Sequence, residues 1–368
     1  MTTPTAPLGL GPIAEGRSLI VVAGAGGVGK TTVSAALGMA AAEHLDGEVL
    51  VLTIDPARRL ASALGMQIDG NDAVRVDHPT GGHLSAAMLD PGRAWDALVR
   101  QEAPDEDVAE RILANPVYRR IADTFVHGND YAALSWLEDA IASERYRLII
   151  VDTPPSQNAL DFFDAPQRVE EFFTSSLLNW LTGGESGSIV GAAATRTFGS
   201  LADRLLGSQF FSDIVEFFTL MQTVVPGMVE RTSAVADELA GDDAALLAVT
   251  APAIASIERV GALVADLEAR DLVLDGVVVN GVEPPEFWDA AVADAAQRVL
   301  DGERSHFSQA NTALLGPGAE YVLERTAVAT AQAAAIAELD GFATLTIPRT
   351  VHSPSNIAGL AALGSLLW

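Results

Sequence analysis

Gly24-Ala25-Gly26-Gly27-Val28-Gly29-Lys30-Thr31-Thr32 stands between an apolar run, Leu19 to Ala23, and an alanine-rich stretch, Val33 to His44. The apolar run is short and continuous, the pattern of a buried strand. The alanine-rich stretch has high helix propensity. Strand, glycine loop and helix in that order match G-x-x-x-x-G-K-[ST] in full, which narrows both the local fold and the ligand class. Glycines let successive backbone N–H groups converge on a β-phosphate, and the helix N-terminus adds partial positive charge. Gly24, Ala25, Gly26, Gly27, Val28, Gly29, Lys30, Thr31 and Thr32 are therefore the candidate nucleotide-phosphate residues. A glycine turn without a ligand is the alternative, and the complete motif leaves it little room.

Lys30 is the only lysine among the 22 basic residues of the chain. Arginine serves everywhere else that a positive charge suffices. A lysine is a flexible point charge that reaches the β- and γ-phosphates, whereas the arginine fork is larger and rigid. Lys30 is thus a candidate catalytic residue as well as a binding one. Thr31 can offer its hydroxyl to Mg²⁺ beside the phosphates of ATP.

Two carboxylates fall where strands of a doubly wound sheet would end. Val49 to Ile54 runs into Asp55-Pro56-Ala57-Arg58-Arg59, and Leu148 to Val151 runs into Asp152-Thr153-Pro154-Pro155. Ligands of such sheets sit beyond the carboxyl ends of the strands. Asp152 has the Walker B placement and, with Thr31, would hold Mg²⁺, largely through its water shell. Asp55 also belongs to this metal-side set and is the candidate to orient the attacking water; an N-cap or turn carboxylate is its alternative. Arg58 and Arg59 either touch phosphate or a partner subunit, or pair with local acids. The prolines stiffen loops that would sense a γ-phosphate and couple hydrolysis to shape.

Three further apolar runs continue the sheet: Leu246 to Thr250, Asp275 to Val279 and Ala343 to Ile347. Asn280 follows the second of these. Its amide can read a donor and an acceptor on a purine edge, or simply make an Asn-Gly turn. Pro348 and Arg349 follow the third, in a loop placed to pack against the base. The expected architecture is α/β, a P-loop NTPase with a doubly wound, mostly parallel sheet, forming a single domain over 18–368 with helical insertions at 88–142 and 160–240. The second insertion is aromatic, with Phe162, Phe163, Phe172, Phe173 and Trp180 before a Gly/Ser-rich break at Gly183 to Ser188, and Phe210, Phe211, Phe217 and Phe218 after it. Such a face is either ordinary core or a nucleotide-controlled groove for an apolar client or partner.

Composition removes several competing functions. The formal charge is -27, from 49 Asp+Glu against 22 Lys+Arg, which opposes binding to nucleic-acid phosphates and to anionic lipid. No run of 18 apolar residues suggests a membrane span, and Met1 to Pro12 lacks the basic and apolar regions of a signal peptide. A cytoplasmic protein without stable membrane insertion is expected. With no cysteine there is no disulfide, thiol nucleophile or CxxC zinc clasp, and no HExxH or similar histidine spacing assigns zinc.

Taken together, Gly24 to Thr32, Leu52 to Gly65 (LTIDPARRLASALG) and Ile149 to Pro166 (IIVDTPPSQNALDFFDAP) resemble the family of arsenite-pump and tail-anchored-protein-targeting ATPases. The likeness is closest to its actinobacterial branch of ArsA-related, anion-transporting ATPases, and runs from about Ser18 to the C-terminus. It implies Mg²⁺-dependent ATP hydrolysis in a dimer whose nucleotides face each other across the interface. It implies that Asp55 is the catalytic aspartate of the first switch loop, that Asp152 and Thr153 form the second switch, that Asn280 reads adenine, and that Pro348 and Arg349 flank it.

Two departures from the family pattern matter. The signature lysine expected in the second position of the glycine loop is Ala25 here. Either a homodimer hydrolyses slowly or through another residue such as Arg58, or the partner is a paralogous subunit that keeps the lysine. A nucleotide-binding regulatory subunit of such a heterodimer, with little hydrolysis of its own, is the competing function. The absence of cysteine removes the soft ligands suited to arsenite, so arsenite transport is not expected.

Overall fold

The computed structural model describes residues 9–54, 59–68, 70–119, 128–154, 164, 168, 170–171, 208–302, 312–350, 354 and 356–368. Asp55 and Arg58 lie outside them, as do the Gly183 to Ser188 break and the aromatic residues of 160–207.

The described residues build one eight-stranded sheet in the order β3-β4-β2-β5-β1-β6-β7-β8. The strands are β1 (Leu19–Ala23), β2 (Glu48–Thr53), β3 (Val74–Val76), β4 (Leu84–Met88), β5 (Tyr146–Asp152), β6 (Ala244–Thr250), β7 (Gly276–Val282) and β8 (Thr344–Pro348). All neighbours pair in parallel except β3, which runs antiparallel to β4 at one edge. Strand β1 and the stretches 148–151 of β5 and 244–249 of β6 consist of Val, Ile, Leu and Ala alone, as expected of strands covered on both faces.

The side chains of β1 divide between two apolar cores, as the two-residue period of a strand requires. Ile20 and Val22 face a core built with helices α1 (Leu10–Gly16), α2 (Lys30–His44) and α3 (Arg59–Leu64), and with the C-terminal helix (Ile357–Gly364). Leu19 and Val21 face the opposite core, built with α4 (Pro91–Glu102), α5 (Glu106–Ala114), α6 (Gly128–Ala142) and α7 (Ser208–Leu239). A third cluster joins α8 (Ile254–Glu268) and the end of α10 (Thr312–Ala337) to β6 and β7. Between them α9 (Ala290–Leu300) packs on α10, and the C-terminal helix becomes α11. Helices on both faces of a mostly parallel sheet are the doubly wound arrangement that the sequence predicts.

Six strands lie where the apolar runs place them, and two have no such run behind them. Residues 84–88 read Leu-Ser-Ala-Ala-Met, poor in β-branched and aromatic residues, yet all five are buried between β2 and β3. Strand β3 has three residues and an arginine at its centre. A second difference concerns β7, which continues past Val279 to Val282, so Asn280 is a strand residue. The continuation is irregular: the register with β8 shifts between Asn280 and Val282, around Gly281 with φ of +83°. In the described part of the aromatic stretch two rings are packed. Phe217 and Phe218 of α7 are buried against Trp95, Leu98, Ile112 and Tyr118.

Candidate functional site

The glycine loop leaves the end of β1 and enters α2 at Lys30, with Gly29 as the cap residue. Gly24, Gly27 and Gly29 have φ of +145°, +81° and +97°, conformations that L-side chains rarely adopt. Gly24 has a second constraint: a Cβ there would stand 2.2 Å from the carbonyl oxygen of Val249 on β6. The curl therefore rests directly on the neighbouring strand.

Lys30 is buried, and its Nζ donates to the carbonyl oxygens of Gly24 at 2.9 Å and Ala25 at 3.2 Å. The ammonium thus lies folded across its own loop. An open cavity of about 290 Å³ adjoins it, lined by Gly27, Gly29, Lys30, Thr31, Thr32, Arg59 and Thr153. A polyanion there would meet backbone N–H groups, a helix N-terminus and two cationic side chains.

Asp152, at the end of β5, is fully buried. Its Oδ2 accepts from the hydroxyl of Thr31 at 2.7 Å and from that of Thr53 at 2.9 Å. Thr153 donates to the carbonyl of Val22 through both its hydroxyl, at 2.9 Å, and its backbone N–H, at 3.3 Å. Ile54 N–H donates to the carbonyl of Asp152 at 3.1 Å. The carboxyl ends of β1, β2 and β5 are therefore cross-linked at the cavity, and Thr31 and Asp152 meet there although 121 residues separate them. A hydroxyl and a carboxylate are hard oxygen donors, the set suited to Mg²⁺.

Thr53 is the contributor that the sequence alone does not single out. It is buried and serves Asp152 directly. Its only mark in the sequence is a hydroxyl inside an otherwise apolar strand, two residues before Asp55. Arg59 opens α3 and lines the cavity beside Lys30, which places one of the two candidate arginines at the candidate site.

Asn280 also comes to the loop. Its Nδ2 donates to the carbonyl of Val28 at 2.8 Å, and a Cβ on Gly29 would stand 2.2 Å from that nitrogen. Pro348 and Arg349 lie at the end of β8 and do not line that cavity. Arg349 N–H donates to the carbonyl of Val282 at 2.6 Å, which ties this segment to the end of β7. The Arg349 guanidinium lies 3.9 Å from the buried carboxylate of Glu283, whose main ion partner is Arg325 at 3.0 Å.

A sequence model of the family described as Anion-transporting ATPase matches residues 17–312. Among curated proteins, the "ATPase get3" of Aspergillus terreus is 31% identical over 189 residues, covering 51% of this chain and 54% of that protein. The "ATPase get3" of Aspergillus niger is 30% identical over 189 residues, with the same coverage. The "ATPase GET3" of Paracoccidioides lutzii is 28% identical over 178 residues, covering 46% of this chain and 51% of that protein. The chain spans about half the length of the curated relatives it matches. Among the described residues no helix is long and apolar enough to cross a membrane.

Proposed function

The chain belongs to the anion-transporting ATPase family, and we propose that it hydrolyses ATP to ADP and phosphate at the Gly24–Thr32 loop, using the nucleotide state to open and close a dimer. The observation that carries this reading is the 2.7 Å hydrogen bond from Thr31, which lines the same cavity as Lys30, to the buried Asp152. A strand-end carboxylate, a loop hydroxyl and the only lysine of the chain converge on the space where the N-terminus of α2 favours phosphate.

The roles follow from position. The N–H groups of Gly26 to Thr32 cradle the phosphates. Lys30 leaves the carbonyls of Gly24 and Ala25 for the β- and γ-phosphate oxygens, exchanging two neutral acceptors for charged ones. Thr31 and Asp152 would hold Mg²⁺, whose charge would offset the negative charge of the phosphates. Asp55, the residue that follows Ile54 in the sequence, would orient the attacking water, the role that the family resemblance implies for it. Asn280, Pro348 and Arg349 border the base. Phosphoryl transfer asks mainly for positioning and electrostatic stabilisation, which is what these residues supply.

Ala25 favours a second reading. The family's signature lysine is absent from the loop, so a symmetric dimer lends no such lysine across its interface. The partner is then a paralogous subunit that retains it, and this chain contributes a nucleotide-binding half with little turnover of its own. The wording of the three motifs supports membership of the actinobacterial branch. An apolar protein client fits that membership; arsenite does not, in a chain without cysteine.

Steady-state ATP hydrolysis by the wild type and Lys30→Ala, with light scattering in the presence and absence of Mg²⁺ and ATP, tests the proposal. Hydrolysis is expected to fall by roughly 100-fold or more in Lys30→Ala, together with loss of the nucleotide-linked dimer. Binding without turnover in the wild type supports the regulatory-subunit reading. Turnover that ignores Lys30 removes the site from consideration.

A further inference from the structure

We propose that Asn280 is a positioning residue for the phosphate loop, holding Val28 and Gly29 in the curl that aims the loop's N–H groups at phosphate. The inference rests on the reading of Gly24–Thr32 as a nucleotide site. It gives Asn280 a task that does not depend on the base.

In a loop that turns its N–H groups inward to an anion, the carbonyls turn outward to the protein and must find donors there. The carbonyl of Val28 finds one in the Asn280 carboxamide, at 2.8 Å. Because that partner is an oxygen, the nitrogen of the amide is the atom that faces it. Strand β6 lies between β1 and β7, so the side chain reaches past a whole strand to make this bond.

Two details show that the approach is built into the backbone. Gly29 has φ of +97°, and a Cβ on it would stand 2.2 Å from the Asn280 nitrogen. The loop therefore sits on the amide with no room for a side chain between them. On the other side, the β7–β8 register shifts between Asn280 and Val282, and Gly281 has φ of +83°. Irregularities of this kind re-aim a strand side chain beside a functional site. Leucine or alanine at 280 would leave the Val28 carbonyl without this donor, and aspartate would set an acceptor against an acceptor.

The test uses the whole chain, as wild type, Asn280→Ala and Asn280→Asp. Binding of ATP, GTP and inorganic tripolyphosphate, each with Mg²⁺, is measured by titration calorimetry. Hydrogen exchange of peptides covering 24–32 is followed without nucleotide. Both variants are expected to weaken all three ligands by roughly 3- to 10-fold, tripolyphosphate included. Exchange should accelerate within the loop while peptides from β1 and β6 stay at wild-type rates, an outcome that general destabilisation would not give. A loss confined to ATP, with GTP and tripolyphosphate unchanged, makes Asn280 a reader of adenine alone and overturns the proposal. So does loop exchange at the wild-type rate, or an increase spread over the whole sheet. If the wild type binds none of the three ligands, the nucleotide reading fails, and the exchange measurement alone decides the role of Asn280.

Discussion

Gly24 and Gly27 belong to the same loop and look alike in the sequence, yet the fold treats them differently. Both have positive φ, +145° and +81°. Only Gly24 also meets a neighbour: the Val249 carbonyl oxygen lies 2.2 Å from where a Cβ would stand, whereas nothing lies within 4 Å of the same position on Gly27. Gly27→Ala should therefore cost only the conformational strain, about 1–2 kcal/mol. Gly24→Ala should cost about 2 kcal/mol more, because β1 and β6 must separate to admit the methyl group. Urea unfolding of the two variants checks the difference, and equal losses would mean that the close approach to β6 is not what fixes this glycine. Lys30 makes the complementary point. The sequence isolates it as the only lysine, but its place across the Gly24 and Ala25 carbonyls is a property of the folded loop.

At the scale of elements, the end of the sheet opposite the site is held by a different chemistry. Glu48 opens β2 and accepts from Ser85 of β4 at 2.6 Å and from Arg145, in the turn before β5, at 2.8 and 2.9 Å. Burial pushes the Glu48 carboxyl up, but the hydrogen bonds from Arg145 and Ser85 outweigh it and hold the group below the ordinary glutamate range. A carboxylate whose folded value is depressed stabilises the fold above its unfolded value, and that contribution disappears as pH falls through the folded one. Glu48→Gln should therefore lower stability at pH of about 7, and the loss should shrink toward pH of about 3 as the wild-type carboxyl takes up its proton. Denaturant midpoints at the two pH values check this. A loss of equal size at both would assign the effect to packing. ATP hydrolysis should stay at the wild-type rate, since Glu48 lies at the opposite ends of the strands from Asp152. Elsewhere α4, α6 and α7 share one ion cluster: Arg231 is 12% exposed and pairs with Glu102, Glu138 and Asp139. It ties α7 to α4 and α6.

For the whole molecule, the charge of -27 bears on assembly. Two copies of a strongly acidic chain repel one another at low ionic strength, and salt screens that repulsion. The proposed nucleotide-dependent homodimer should therefore tighten as salt rises from about 0.05 M to about 0.5 M. Sedimentation of the Mg²⁺- and ATP-bound protein checks it. An interface that weakens with salt would instead be held by opposite charges, and mixing with a basic paralogous subunit would then be the experiment to follow.

How far the sequence reaches differs from part to part of the molecule. The phosphate loop is legible because its chemistry is local: glycines, lysine and threonine act within nine consecutive positions, between a strand and a helix whose periodicities differ. Six strands are legible because burial on both faces demands continuous apolar runs. Strand β4 is not, because alanine, serine and methionine take whatever conformation their neighbours impose, and what imposes it is the groove between β2 and β3. Asn280 shows the same boundary at one residue. The sequence alone determined that an amide follows an apolar strand of an α/β chain with a glycine-loop motif. Only the tertiary structure decided that the amide bonds the Val28 carbonyl, 252 residues away, because that contact depends on strand order and on a one-residue irregularity at Gly281. Local backbone geometry is written in neighbouring residues, whereas which side chains meet across a sheet is settled by packing the whole chain at once.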